Sequence, residues 1–323
     1  MKLNRIKWPT VLIVAGVIGL VCLLEFRPVD FFVRMENFTA DKRMQWLARL
    51  GPPIATNLVL VPIDDSSITA VSDGSLGFSY GLYWPRHVYG RVMRELQLRG
   101  ALATACDVMF GELRIDHGTL LVREGEDDNA VPSDDLFARY LNEAGNVILG
   151  AERGVVPVRL FRTNAMALGD ISAEKDSDGV LRRAKTFRMY RDWNDVFKKI
   201  AKNADYGISL DDARIETNSL IFGRDSRLGP PVVVNLDQDG NFDATEFLNR
   251  IPADMTRFMK PFTETRVWHM GIVLAARQLK LDLANPVIEP DKGRITLRGP
   301  GGDYPGHSDR PRWIFYNCLA GRL

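Results

Sequence analysis

The chain has 323 residues, 46% of them hydrophobic and 26% charged, which supplies a sizeable core and excludes a disordered or collagen-like chain. Three cysteines exclude a disulfide scaffold and a four-cysteine zinc site. The net charge is +1, from 42 basic and 41 acidic side chains, so no bulk field points to nucleic acid.

Residues 1–25 carry Lys2, Arg5 and Lys7 against Glu25, a net +2 that leaves −1 over the other 298 residues. From Val11 to Leu24 no residue is charged. Those 14 residues, about 17 with Trp8, Pro9 and Thr10, lie between a short spanning helix and a signal-peptide core. No Ala-x-Ala site follows, and Cys22 follows Val21 rather than the small residue of a lipoprotein site. An uncleaved transmembrane anchor over 8–25 is the expectation. Residues 1–7 are then cytoplasmic and the body lies outside. A cleaved signal and a buried core helix are the alternatives.

Leu58–Ile63 is a short apolar run ending at Asp64-Asp65, the pattern of a buried parallel strand, with Pro62 arguing for an edge or a bulge. Trp84-Pro-Arg86 opens a helix to about Arg99, with Val88, Val92, Met93 and Leu96 at helical spacing and Gly100 ending it. Ala101–Phe110 is a second apolar run, broken by Asp107. The acidic stretch from Arg123 to Asp135 reads as a surface loop, with a calcium-attracting loop as the alternative. Ser133 caps a helix through Glu143, and Asn146–Gly150 is a third buried strand. Strands alternating with helices predict a parallel sheet with right-handed crossovers. Strands and hairpins follow at Val180–Tyr190, Ser219–Phe222, Pro231–Leu236 and Arg294–Arg298, framing a helix from about Thr263 to Leu281. The fold class is α/β: an N-terminal transmembrane helix, then a domain with a largely parallel sheet and β-hairpin additions.

Ligands of open parallel sheets bind beyond the carboxyl ends of the strands. Asp64 and Asp65 end one predicted strand and Asp107 sits late in the next. If the strands are neighbours, their carboxylates converge to hold a cation or a cationic ligand. The alternative is that they cap backbone amides or neutralise Arg86. Asp176-Ser-Asp178-Gly179-Val-Leu-Arg182 is a tight turn whose Asp176, Asp178 and Arg182 are further ligand candidates. Asp237-Gln-Asp239-Gly240 is a hairpin turn, because Phe242 and Leu248 occupy the places where a calcium loop needs Gly and Glu. The basic, aromatic stretch from Arg182 to Lys202 reads as a solvated face or a patch against anionic lipid. No nucleophile elbow, kinase set, His-Glu-x-x-His or dinucleotide fingerprint occurs, and His87, His117, His269 and His307 have no ligand spacing. No catalytic residue, metal or cofactor is assigned.

These elements together resemble the second type of CHASE domain, the extracytoplasmic sensor of bacterial transmembrane receptors. The resemblance runs from about residue 35 to 310. It rests on the anchor, Asp41-Lys-Arg43, Leu58-Val-Leu-Val-Pro-Ile-Asp-Asp-Ser-Ser67, Trp84-Pro-Arg86 with its helix, and the strand holding Asp107. Gly145-Asn-Val-Ile-Leu149, Asp176-x-Asp-Gly-Val-x-Arg182 and Arg298-Gly-Pro-Gly301 complete it. Residues 112–132 and 190–260 are long insertions.

The resemblance implies a single-pass protein of the bacterial inner membrane, with a sensor over 35–323 facing the periplasm or outside. Its partner is an unidentified small-molecule or envelope signal, and there is room for a homodimer. A cyclase or kinase output is expected in a longer chain, because the sensor still closes near Leu323. An exported metal-dependent hydrolase using the strand-end carboxylates, and an envelope structural protein, stand as alternatives.

Overall fold

The uncharged run from Val11 to Leu24 lies within one continuous helix, α1 (Trp8–Phe26), in the computed structural model of the chain. The structure describes residues 8–26, 30–51, 56–74, 79–81, 84–124, 127–203, 205–224, 227–248, 255–299 and 312–316. The chain divides into two units, Met1–Ser67 and Ile68–Leu323.

In the first unit, the described side chains of α1, at Pro9 and Val11–Gly19, are exposed. Among the described residues no helix is long and apolar enough to cross a membrane. Helix α2 (Asp30–Leu50) exposes Phe31, Phe38, Met44, Trp46 and Leu47. The predicted strand at Leu58–Ile63 is not formed: these residues join no described ladder, with Leu60 87% exposed. Pro62 lacks a ladder donor, and no other strand is described in this unit to supply a partner. Helix α3 (Asp65–Ser72) follows at once.

In the second unit, α4 (Arg86–Leu98) leads to β1 (Thr104–Cys106), and the hairpin β2 (Thr119–Glu124) and β3 (Asp127–Pro132) leads to α5 (Ser133–Ala144). Next come β4 (Val147–Ala151), the short α6 (Arg159–Arg162) and β5 (Ala167–Asp170). Strands β1, β4 and β5 form a parallel sheet in that order, with Cys106 opposite Leu149 and Gly150 opposite Gly169. All five residues of β4 are buried, as a central strand covered on both faces requires. Helices α4 and α5 close one face around Phe110 and Phe137, whose ring centres lie 4.7 Å apart.

Of the sheets described, only this one is parallel; the rest are antiparallel. Strand β6 (Phe187–Trp193) precedes α7 (Asp195–Lys202), and β7 (Arg214–Glu216), β8 (Ser219–Phe222) and β9 (Val232–Asn235) make a meander. The two-residue strands β10 (Phe242–Asp243) and β11 (Phe258–Met259) pair, and α7 and these strands bury Trp193, Phe197, Phe222 and Phe242 in a second core. Strand β12 (Phe262–Trp268) pairs with β6 over its full length and joins the parallel sheet by one bridge, Asp170 to His269. Helix α8 (Met270–Leu279) then leads to β13 (Asp282–Glu289), β14 (Arg294–Arg298) and β15 (Arg312–Tyr316).

Four further expectations change. The helix predicted over 263–281 is β12 followed by α8. Thr263, Thr265 and Val267 favour a strand, β6 supplies its ladder, and Nδ1 of His269 caps α8 by accepting the Gly271 amide at 3.2 Å. The strand expected from Val180 begins only at Phe187. The acidic stretch is the β2–β3 hairpin, where Arg123 stands opposite Asp128. Ser133 does not cap α5: Pro132 holds the cap position, and the Ser133 hydroxyl turns to His87. Pro300, Gly301, Gly302, His307 and Cys318 lie outside the described residues. Cys106 is a free thiol, pushed up to about 12 by burial.

Candidate functional site

A parallel sheet gathers its strand ends on one edge, where the backbone must leave the sheet and polar groups can face a ligand. Asp107 follows β1 and is exposed. A two-residue turn, Arg153-Gly154, follows β4, and Asp170 ends β5.

Asp170 is 1% exposed and fully engaged. Its Oδ1 accepts the Ser172 hydroxyl at 2.6 Å and the Tyr190 phenol at 2.6 Å, and its Oδ2 accepts Nε of Arg188 at 3.0 Å. A buried carboxylate is tolerable only with such donors. Arg188 also gives Nη2 to Glu174 at 2.7 Å, and Lys185 pairs with the same Glu174 oxygen at 3.3 Å. Burial, and then the bond to Asp170, pushes the Tyr190 phenol up to about 12. The hydrogen bond from Arg188, foremost, holds Glu174 below the usual carboxylate range. Burial works against the charge of Arg188, but its bonds to Glu174 and Asp170 prevail and raise it.

A second polar assembly lies where α4 and α5 begin side by side. The Ser133 hydroxyl accepts the His87 amide at 3.2 Å and stands 3.1 Å from His87 Nδ1. The Arg86 guanidinium, in a residue 9% exposed, lies 4.7 Å over the Phe110 ring. Asp134 accepts the Arg114 amide at 2.6 Å through Oδ2. Its Oδ1, Nε of Arg86, Nε1 of Trp84 and both ring nitrogens of His117 are buried without a hydrogen-bond partner among the described residues. Such atoms are costly in a folded domain and mark where water or a polar ligand group belongs. Burial lowers the pKa of Arg86, opposed by the charge of Asp134, and burial likewise lowers His87 and His117.

The seven residues singled out from sequence distribute unevenly. Asp64 caps α3, accepting the Ser67 amide at 2.9 Å and hydroxyl at 2.6 Å and the Ser66 hydroxyl at 2.8 Å. The Ser67 hydroxyl, foremost, holds it down to about 2. Asp65 opens the same helix, where the dipole favours a negative charge. Both are exposed and belong to the first unit as far as Ser67, whereas Arg86, Asp107, Asp176, Asp178 and Arg182 belong to the second. Arg86 enters the assembly just described. Asp176, Asp178 and Arg182 come together: Arg182 Nη1 bonds Asp176 at 3.0 Å, and Nη2 bonds Asp178 at 2.6 Å. The turn beneath them has Gly179 at φ +82° and its amide on the Asp176 carbonyl. Among the described residues, no group of three or more His, Cys, Asp or Glu side chains is placed to hold a metal.

Asp170, Ser172 and Arg153 do not stand out in the sequence, and Tyr190 and Arg188 enter it only as members of the basic, aromatic stretch from Arg182 to Lys202. The strand-end rule that selects Asp107 applies equally to Asp170, so a signal is present in Ala167-Leu-Gly-Asp170. Its importance comes from Tyr190 and Arg188, which a local reading does not connect to it.

A family model described as the CHASE2 domain matches residues 13–303, most of the chain. No curated protein and no solved structure matches it.

Proposed function

The chain belongs to the CHASE2 domain family, and from that premise we propose that it is the sensing part of a bacterial membrane receptor. CHASE2 domains are sensory rather than catalytic, and the match across residues 13–303 is the observation that carries this reading. In it, α1 anchors the protein in the inner membrane with residues 1–7 in the cytoplasm. The uncharged Val11–Leu24 and the cations Lys2, Arg5 and Lys7 support that orientation. A signal outside the membrane binds two conformers unequally, and the population shift passes through the anchor to a cyclase or kinase output. The buried unpartnered atoms around Arg86 and Asp134, which a water or a polar ligand group would satisfy, and the exposed Asp107 support recognition in this unit.

Expression in a bacterial host with a C-terminal alkaline phosphatase tests the topology. High phosphatase activity in a membrane fraction that resists carbonate extraction is the expected result. Activity released with the soluble fraction, or an inactive fusion at normal expression, overturns the anchored orientation. A thermal-shift screen of the purified protein against metabolites and metal ions tests sensing, with Asp107→Asn and Arg86→Gln as controls. A hit whose binding both variants leave unchanged places recognition elsewhere.

A further inference from the structure

Between the turn after β4 and the start of β6 lies a cleft of about 350 Å³, lined by Arg153, Lys185, Phe187, Arg188, Met189 and Tyr190 along with Gly154. Three cations face it, and no carboxylate does among the described residues. We propose that this cleft binds a small multiply charged oxyanion, one bearing carboxylate or phosphate groups, held by Arg153, Lys185 and Arg188.

The acids that pair with these cations are not among the residues lining the cleft: Glu152 stands 3.8 Å from Nε of Arg153, and Glu174 3.3 Å from Nζ of Lys185. Asp170 and Glu174 take Nε and Nη2 of Arg188, fixing the guanidinium of a side chain that lines the cleft and is 17% exposed. An oriented guanidinium is a ready donor to an oxyanion, because its position is already set before the ligand arrives. Phe187, Met189 and Tyr190 give the cleft an apolar wall, which strengthens charge pairing by excluding water.

Arg153 carries the second observation. It has φ +44°, beside Gly154 at φ +88°, in a turn closed by the Glu152 amide on the Val155 carbonyl at 3.0 Å and the reverse bond at 2.8 Å. Two successive positive φ values suit Asn-Gly or Gly-Gly, and a long side chain at the first position is strained. The two bonds that close the turn are backbone bonds open to any residue; the arginine side chain adds a 3.3 Å bond from Nη2 to the Ala173 carbonyl. The Arg153 amide donates to the Ser172 hydroxyl at 3.0 Å, and that hydroxyl donates to Asp170. The strained turn is thus tied to the same network that fixes Arg188. Strain kept at a cleft beside the fixed Arg188 is strain kept for the side chain it presents. The Arg153 side chain is 71% exposed and that of Lys185 37%, so both can close on a bound anion. The cleft is near the lower end of small-ligand sites, which suits a compact polyanion.

This inference names a ligand chemistry for the sensory reading and rests on it only for the meaning of binding. The test uses the full chain in detergent, titrated calorimetrically with citrate and separately with inorganic phosphate at low and high salt, with glycerol as the uncharged control. One-site saturable binding of either anion, weaker at high salt, is expected. Arg153→Gly, which relieves the turn, and Lys185→Gln should each weaken it about tenfold or more while the far-ultraviolet spectrum stays native. Preference for citrate assigns a carboxylate ligand, and preference for phosphate a phosphorylated one. Absence of saturable binding to either anion, or equal affinity in both variants, overturns the proposal. Anion binding by a chain that fails the topology test upholds this site and removes the receptor reading.

Discussion

The Tyr190 phenol donates a 2.6 Å hydrogen bond to a carboxylate, Asp170, that is 1% exposed and twenty residues earlier in the chain. The bond fastens β6 to the carboxyl end of β5. Tyr190→Phe removes one of the three side-chain donors to Asp170 and leaves Ser172 and Arg188 in place. We expect a loss of about 1.5–3 kcal/mol in urea unfolding, the range for a bond to a charged group. The phenol should also ionise near pH 12, so a difference ultraviolet titration against Tyr190→Phe should show no phenolate from this residue below about pH 11.

Gly90 lies in the middle of α4, where alanine usually stabilises by about 1 kcal/mol. Here a Cβ would stand 2.9 Å from Cδ2 of Tyr140 and 3.0 Å from Cδ2 of Phe137. The overpacking cost, about 1–3 kcal/mol, should win. Gly90→Ala is therefore expected to lower the urea midpoint, and a midpoint raised above wild type would show that α5 yields.

Phe110→Ala is expected to be the most damaging single truncation. Phe110 is fully buried, rests on Phe137 and Phe161, and underlies Arg86. A loss of about 3–5 kcal/mol is expected in denaturant unfolding.

Burial, with Arg91 and His117 adding to it, depresses the pKa of His87 below its unfolded value near 6.5. The unfolded chain then binds the proton more readily. The stability from a neutral His87 is complete above about pH 6.5 and declines as pH falls below it. His117 shifts the same way, so His87→Gln should make the decline between pH 6.5 and 5 shallower without abolishing it. An unchanged slope in chemical unfolding across that range would refute the assignment.

Asp178 is the opposite case. Arg182, foremost, and the Val180 amide hold its carboxyl down to about 2. Its contribution is present above the unfolded value near 3.9 and is lost as pH falls toward 2. Carbon-detected titration should find its midpoint near 2 in wild type and higher in Arg182→Gln, still below the ordinary value because the Val180 amide remains.

Elements that state themselves locally were legible. The β4 run, the α4 spacing after Trp84-Pro-Arg86 and the Asp176–Gly179 turn each depend on neighbours within a few residues, and each is present. What failed depends on distant partners. Residues 263–268 fit a helical pattern until β6, some seventy residues earlier, offers a ladder. Leu58–Ile63 has the composition of a strand but no described strand within its unit to pair with. Ser133 looks like a cap until His87 competes for its hydroxyl. The same division runs through the candidate site. Asp176, Asp178 and Arg182 assemble within seven residues, whereas Asp64 is occupied by its own helix and Asp170 matters only through Tyr190 and Arg188.

Gly90 brings α4 and α5 together with no side chain of its own between them, and two further ties bracket it. His87 bonds Ser133 toward one end, and Arg94 pairs with Glu143 at 3.0 Å toward the other. Three fixed points along two parallel rods remove sliding and leave only rigid-body travel. Arg86 and Asp134 therefore stand on a stationary anvil.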